Sequence, residues 1–170
     1  MAKRTKIVND PADIVPLLRT FGSKKHKKVF DELSVKWRTK KELDDILGYD
    51  SLESVELFRE GGLLETKWRM PQPGETPDKE YHASYSKIMT NFQCTFQDFS
   101  DLIMISFMDE DQLMEIADVI TKEVSDGKMV SVSNLCRTLD ISPAFLRGIA
   151  SRSKMVEVKG QRIELTQEHQ

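Results

Sequence analysis

Apolar positions recur at helical spacing through most of the chain, broken by two stretches of alternation and several proline or glycine stops. Asp10-Pro11 opens the first helix, a cap residue followed by a proline suited to the first turn. Its apolar positions are Ile14, Val15, Leu17, Leu18 and Phe21, and Pro16 either kinks the helix or moves its start later. Ser23 caps a second helix over 24–34, with Val29, Phe30 and Leu33 on one side. Thr39-Lys-Lys-Glu42 is a capping box, so a third helix starts at Lys40 with Leu43, Ile46 and Leu47 as its stripe. Asp50 with Glu53 reads as a second box for a helix over 51–60, which Gly61-Gly62 stops. Residues 63–69 and 79–85 alternate, while 70–78 hold three prolines and a glycine. That is a hairpin with a long tip. A further extended piece is expected over 88–94.

The second half uses the same devices. Thr95-Phe-Gln-Asp98 is a third box, for a helix to about Met108 carrying Phe96, Phe99, Leu102, Ile103 and Phe107. Asp109-Glu-Asp111 begins another helix, to about Ser125, which Asp126-Gly127 ends. Val130 is a short extended link, and Ser131 caps a helix to about Leu139. Ser142-Pro143 starts the last helix, with Phe145, Leu146 and Ile149 inward. Residues 155–158 and 161–165 form a tight hairpin around Lys159-Gly160, and the last five residues read as a frayed tail.

Laid over each other about 92 residues apart, the halves repeat. Leu43 falls on Leu135, Leu47 on Leu139, Asp50 on Ser142, Leu63 on Met155 and Glu65 on Glu157. A short helix, a tight turn, a second helix and a hairpin is the order of a winged helix-turn-helix. The predicted fold class is mainly α with small β-hairpins (α+β), as tandem winged helix-turn-helix domains. Residues 1–94 form the first domain, and 95–170 form a linker helix with the second. Units this small sit near the lower size limit for an independent core, so they pack against each other or against a second copy.

Apolar residues make up 39% of the chain and charged residues 31%. No apolar run reaches membrane-spanning length. The basic N-terminus is followed by no apolar signal core, and Cys94 and Cys136 have no partner at ligand spacing. A cytoplasmic protein with free thiols is expected. The net charge of −3 is unevenly spread. Residues 1–48 hold 12 Lys/Arg and 7 Asp/Glu, net +5; residues 49–126 hold 6 and 17, net −11; residues 127–170 hold 7 and 4, net +3. Only the local field at the binding face governs phosphate contact, so basic ends around an acidic middle remain compatible with DNA. There is no glycine-rich phosphate loop, nucleophile elbow or paired His/carboxylate motif, so no catalytic function is expected.

Residues 12–90 resemble the winged helix-turn-helix domain of ArsR-type transcriptional regulators. The stretch Arg38 to Tyr85, with its continuation Tyr85-Ser-Lys-Ile-Met-Thr-Asn-Phe-Gln-Cys-Thr-Phe, is similar to an archaeal branch of that family. The resemblance implies a cytoplasmic homodimer that places the second helix of each pair in the major groove of double-stranded DNA. Metal-sensing members carry a cysteine-rich motif on the first of those helices. Here that helix is Lys40-Lys-Glu-Leu-Asp-Asp-Ile-Leu47, so no metal or other cofactor is expected.

Two faces are candidates for DNA. On the first module they are Ser51, Ser54 and Arg59 on the second helix, Lys40 and Lys41 before it, and Lys67, Arg69 and Lys79 on the hairpin. Glu53, Glu56 and Glu60 oppose phosphate there. On the second module they are Ser142, Arg147, Arg152 and Lys154, beside Ser151, with no acid in the helix. Lys24, Lys25, Lys27 and Lys28 form either a solvated face or a phosphate contact. Trp37, Trp68 and Tyr49 read as packing aromatics, with single-strand stacking the other use of such residues. The apolar stripe Phe96 to Met108 is expected to bury between modules or at a dimer interface. The competing function is a winged-helix protein-interaction adaptor of the transcription machinery, favoured by the acidic middle.

Overall fold

The computed structural model describes residues 4–126 and 130–166. It is a mixed α+β molecule whose chain folds into two compact units. One holds the residues up to Val8 together with Pro16–Asn91; the other holds Asn9–Val15 and the residues from Phe92 onward.

In the first unit, strand β1 (Thr5–Val8) pairs in parallel with β5 (Lys87–Thr90). The periodicity did not reveal β1, and its partner lies some eighty residues away. The chain then enters the Asn9–Val15 segment of the second unit, where Asp10 caps a single 3-10 turn, Pro11–Asp13, by accepting from the Ala12 N–H at 2.8 Å. Helix α1 (Ile14–Phe21) therefore starts later than Pro11. Pro16 then lies in its first turn, where an N–H would have no intrahelical partner, so it causes no break. Helix α2 (Lys24–Val35) follows the Ser23 cap.

The capping box at Thr39 forms in both directions. Thr39 Oγ1 accepts from the Glu42 N–H at 3.2 Å and Glu42 Oε2 accepts from the Thr39 N–H at 2.9 Å. It sets helix α3 (Lys40–Leu47), which ends at Gly48 with φ +75°, a left-handed cap open to glycine. The second expected box, Asp50 with Glu53, does not form. Ser51 occupies the cap position of α4 (Leu52–Glu60), and its N–H and hydroxyl both donate to Asp44 Oδ1. Asp50 accepts instead from the Leu52 N–H, at 2.9 Å. Strands β3 (Leu64–Arg69) and β4 (Asp78–Ala83) form the long hairpin, in register from Leu64↔Ala83 to Arg69↔Asp78. A two-residue strand, β2 (Arg38–Thr39), adds to the far edge of β4, giving the order β2-β4-β3. Val29, Leu33, Leu43 and Phe58 are completely buried in this unit, and the Phe58 ring meets Phe30 edge to face at 5.6 Å.

The second unit contains α5 (Phe96–Phe107), α6 (Glu110–Asp126), β6 (Val130–Ser131), α7 (Val132–Leu139), α8 (Pro143–Ser153), β7 (Val156–Lys159) and β8 (Arg162–Leu165). Its sheet runs β6-β8-β7, the same order as β2-β4-β3. The 92-residue offset holds through the caps. Thr39 corresponds to Ser131, and the left-handed Gly48 to Asp140, at φ 53°. The expected helix stop at Gly127 and residues 167–170 of the tail lie outside the described residues.

One difference matters for function. Leu102 and Ile105 of α5, Leu113 and Ile120 of α6, and Leu146 and Ile149 of α8 form one core. Gly148 lies where α8 meets α5. A Cβ there would stand 3.0 Å from both Leu102 Cδ2 and Ile105 Cδ1. The missing side chain lets the two helices come close. With α5, α6, α7 and β7 packed around it, α8 exposes only Pro143 and Ser151.

Candidate nucleic-acid interface

In the first unit, α3, the turn at Gly48 and α4 present one surface, and the β3–β4 hairpin flanks it. Ser51 and Ser54, expected on the outer face of α4, are both fully buried. Ser51 donates to Asp44 at 2.7 Å, and Ser54 Oγ lies 2.8 Å from His26 Nδ1. Partners on two other helices, Asp44 on α3 and His26 on α2, hold them inward, a relation that helical spacing alone does not reveal. Burial pushes the His26 ring below its ordinary value of 6.5, more than the nearby Glu53 raises it.

The outer face of α4 consists of Leu52, Glu53, Glu56, Arg59 and Glu60, all exposed. Glu53 is partly neutralised: Lys25 Nζ donates to it at 3.0 Å and holds its carboxyl below the usual range. Arg59 has no carboxylate partner among the described residues. Lys40 is committed elsewhere. Its Nζ reaches Asp44 at 2.6 Å and Asp50 at 2.9 Å, clamping the start of α3 to the turn before α4. These bonds hold the ammonium above its ordinary value. Burial acts to raise Asp44, but its bonds to Lys40 and Ser51 prevail and keep it low. Lys41, one residue on, is exposed beside a cleft of about 660 Å³ between α3 and the hairpin tip.

On the hairpin, Arg69 is fixed rather than offered. It makes two bonds to Glu42, at 2.7 and 3.0 Å, and its Nε donates to Glu80 at 2.7 Å. Lys67 shares Glu80 at 3.1 Å, and its ammonium stands 4.2 Å above the Trp37 ring, which stacks on His82. Trp68 was expected to pack inward, but it is 64% exposed. The opposite pair, Trp68↔Lys79, places the Lys79 ammonium 5.1 Å from the indole. An aromatic and a cation therefore share the outside of the hairpin. Their position next to a proline-rich tip was the available signal for exposure. Tyr49 donates its hydroxyl to the Lys25 carbonyl at 3.1 Å and packs at the turn.

The second unit treats its expected residues differently. Arg152 was expected on the outer face of its helix, but its side chain is only 6% exposed. It donates to the Ile105 carbonyl at 2.6 Å and to Glu110 at 2.7 Å, tying α8 to the end of α5 and the start of α6. Arg147 is half-buried and bonded to Asp10 at 2.6 Å. The Ser142 hydroxyl is used as the cap, accepting from the Phe145 N–H at 3.1 Å. Lys154 is exposed, in the left-handed cap of α8 at φ 58°. The acid-free sequence of α8 thus reports a packed helix whose guanidiniums serve the fold.

No described helix is long and apolar enough to cross a membrane. Among the described residues no group of three His, Cys, Asp or Glu comes together to hold a metal ion.

The profile of the ArsR transcriptional regulators matches residues 8–167, nearly the whole chain. The chain belongs to the ArsR transcriptional regulator family. That family is one of transcriptional regulators. No curated protein matches it at significance.

Proposed function

We propose that this protein is a homodimeric regulator built from two winged helix-turn-helix modules, and that it binds double-stranded DNA through the first of them. One contrast carries the assignment. Helix α4 has an open outer face beside an exposed hairpin, whereas α8, its counterpart 92 residues on, is enclosed by its own unit. A helix that enters a major groove needs a free face of several residues. Lys41, Arg59 and Lys79 supply the cations for phosphate, and the hairpin over 64–83 is the wing. Glu56 and Glu60 repel the backbone, so affinity is modest and salt-dependent. The exposed apolar side chains of α5, Phe96, Met104 and Phe107, supply a surface for a second copy.

Titration of a random-sequence duplex at low and moderate salt tests this. Binding that weakens with salt is expected, and substituting Arg59→Glu with Lys79→Glu removes it while Arg147→Glu leaves the salt slope unchanged. Absence of duplex binding at low salt rejects the assignment. Sedimentation of the full chain reads the dimer directly.

A further inference from the structure

We propose that the N-terminal unit holds a binding site for an organic anion with an apolar body, of the kind represented by a medium-chain carboxylate. A cavity of about 690 Å³ opens between α1, α2 and the β1–β5 pair. That is the size of small-molecule sites. Its floor is apolar: Leu17, Phe21, Phe30, Leu63 and Ala83. Leu17 and Leu63 are buried, but Phe21 is 48% exposed and Ile88, at the mouth, is 54% exposed. Phe21 is held in place by Phe30, whose ring it meets edge to face at 5.1 Å. A ligand seated there would cover both apolar side chains.

The rim decides the charge of the ligand. Lys6 and Lys87 line it with Ser34, Ser84 and Ser86, and no carboxylate lines it at all. Neither lysine has an ion-pair partner among the described residues. The Lys6 ammonium rests 5.4 Å from the Tyr85 ring, a weak contact that leaves its donors available. Two unpaired ammoniums and three hydroxyls above an apolar floor fit a carboxylate head on a hydrocarbon or aromatic body. They would repel a cation of the same shape.

Decanoate is the probe, with decylammonium as its cationic counterpart, measured by calorimetry and amide chemical shifts of the full chain. Decanoate is expected to bind at least about tenfold more tightly than decylammonium, the effect of one charge-assisted contact. Its shifts should centre on Ala83, Ser84 and Ile88, and it should raise the melting temperature. Lys6→Gln and Lys87→Gln, which keep the backbone pairing of β1 with β5, should weaken it severalfold. Phe21→Ala should do the same without altering charge. Equal binding of the two probes, shifts centred elsewhere, or indifference to Lys6→Gln and Lys87→Gln overturns the proposal, as does no binding at millimolar decanoate. The readout involves no DNA, so it stands or fails separately from duplex binding.

Discussion

Arg69 grips Glu42 through two parallel bonds, at 2.7 and 3.0 Å, and so ties the hairpin to the first turn of α3. Glu42 is also the reciprocal half of the Thr39 capping box. The Arg69 guanidinium, helped by the Thr39 N–H, pulls its carboxyl from 4.5 to about 2, against the effect of burial. Because the folded value is depressed, the ionised pair contributes in full above pH 4.5, and the contribution fades as the pH falls toward 2. Both side chains are about two-fifths exposed, so solvent screens the pair heavily. Glu42→Gln is expected to lower the stability of the first unit by about 1 kcal/mol at neutral pH, including the weakened cap. Unfolding titrations at pH 7 and pH 3 check this: the difference between wild type and variant should shrink at pH 3.

His26 gives the first unit a second, milder pH response. Burial holds its ring below 6.5 in the folded protein, with Ser54 Oγ against Nδ1. The neutral ring stabilises the fold fully above pH 6.5, and that stability is lost as the pH falls through the lower folded value. His26→Gln should therefore flatten the stability profile of the first unit below pH 6.5, where wild type declines. Chemical denaturation at half-unit pH steps reads the difference. A wild-type profile flat from pH 7 to 5 would count against it.

Helices and their caps were legible because each signal lies within four residues: Thr39 with Glu42, Ser131 with Asn134, Ser142 with Phe145. The repeat was legible for the same reason, since caps and apolar spacing are local. What periodicity missed depends on distant partners. Strand β1 exists because Lys87–Thr90 pairs with it, and β2 and β6 are two-residue strands that only their hairpins define. Ser51 and Ser54 turn inward toward Asp44 and His26. The same limit applies most sharply to α8. Its arginines look like a phosphate-binding set until Ile105, Glu110 and Asp10, all remote in sequence, are seen to hold them.

Gly148 is required by proximity rather than by backbone angle. A methyl group there meets two terminal methyls of completely buried side chains at 3.0 Å. Alanine gains about 1 kcal/mol of helix propensity over glycine, while overpacking costs about 1–3 kcal/mol. Gly148→Ala should come out destabilising by about 1 kcal/mol and Gly148→Val by more than about 2 kcal/mol, with loss concentrated in the second unit. Thermal melts of the two variants decide it. An Ala variant more stable than wild type would show that α5 yields at no cost.

Arg152 and Lys41 should separate structure from phosphate contact. Arg152 is almost fully covered and satisfies the Ile105 carbonyl at the end of α5. Arg152→Ala leaves that carbonyl and Glu110 without their donor, a loss of about 1–3 kcal/mol. It should lower the melting temperature by several degrees and leave the salt slope of duplex binding as it was. Lys41 is exposed at the start of α3, so Lys41→Ala should leave the melting temperature alone and reduce the salt slope by about 1, the release of about one counterion. Glu56→Gln is the opposite probe on the same surface. It removes a charge that repels phosphate and should strengthen low-salt binding about threefold, unless that carboxylate accepts from a cytosine amine, in which case binding weakens for duplexes carrying that base. Melting curves and binding isotherms at three salt concentrations measure all three variants together. Loss of duplex affinity in Arg152→Ala at unchanged stability would move the contact surface to the second unit.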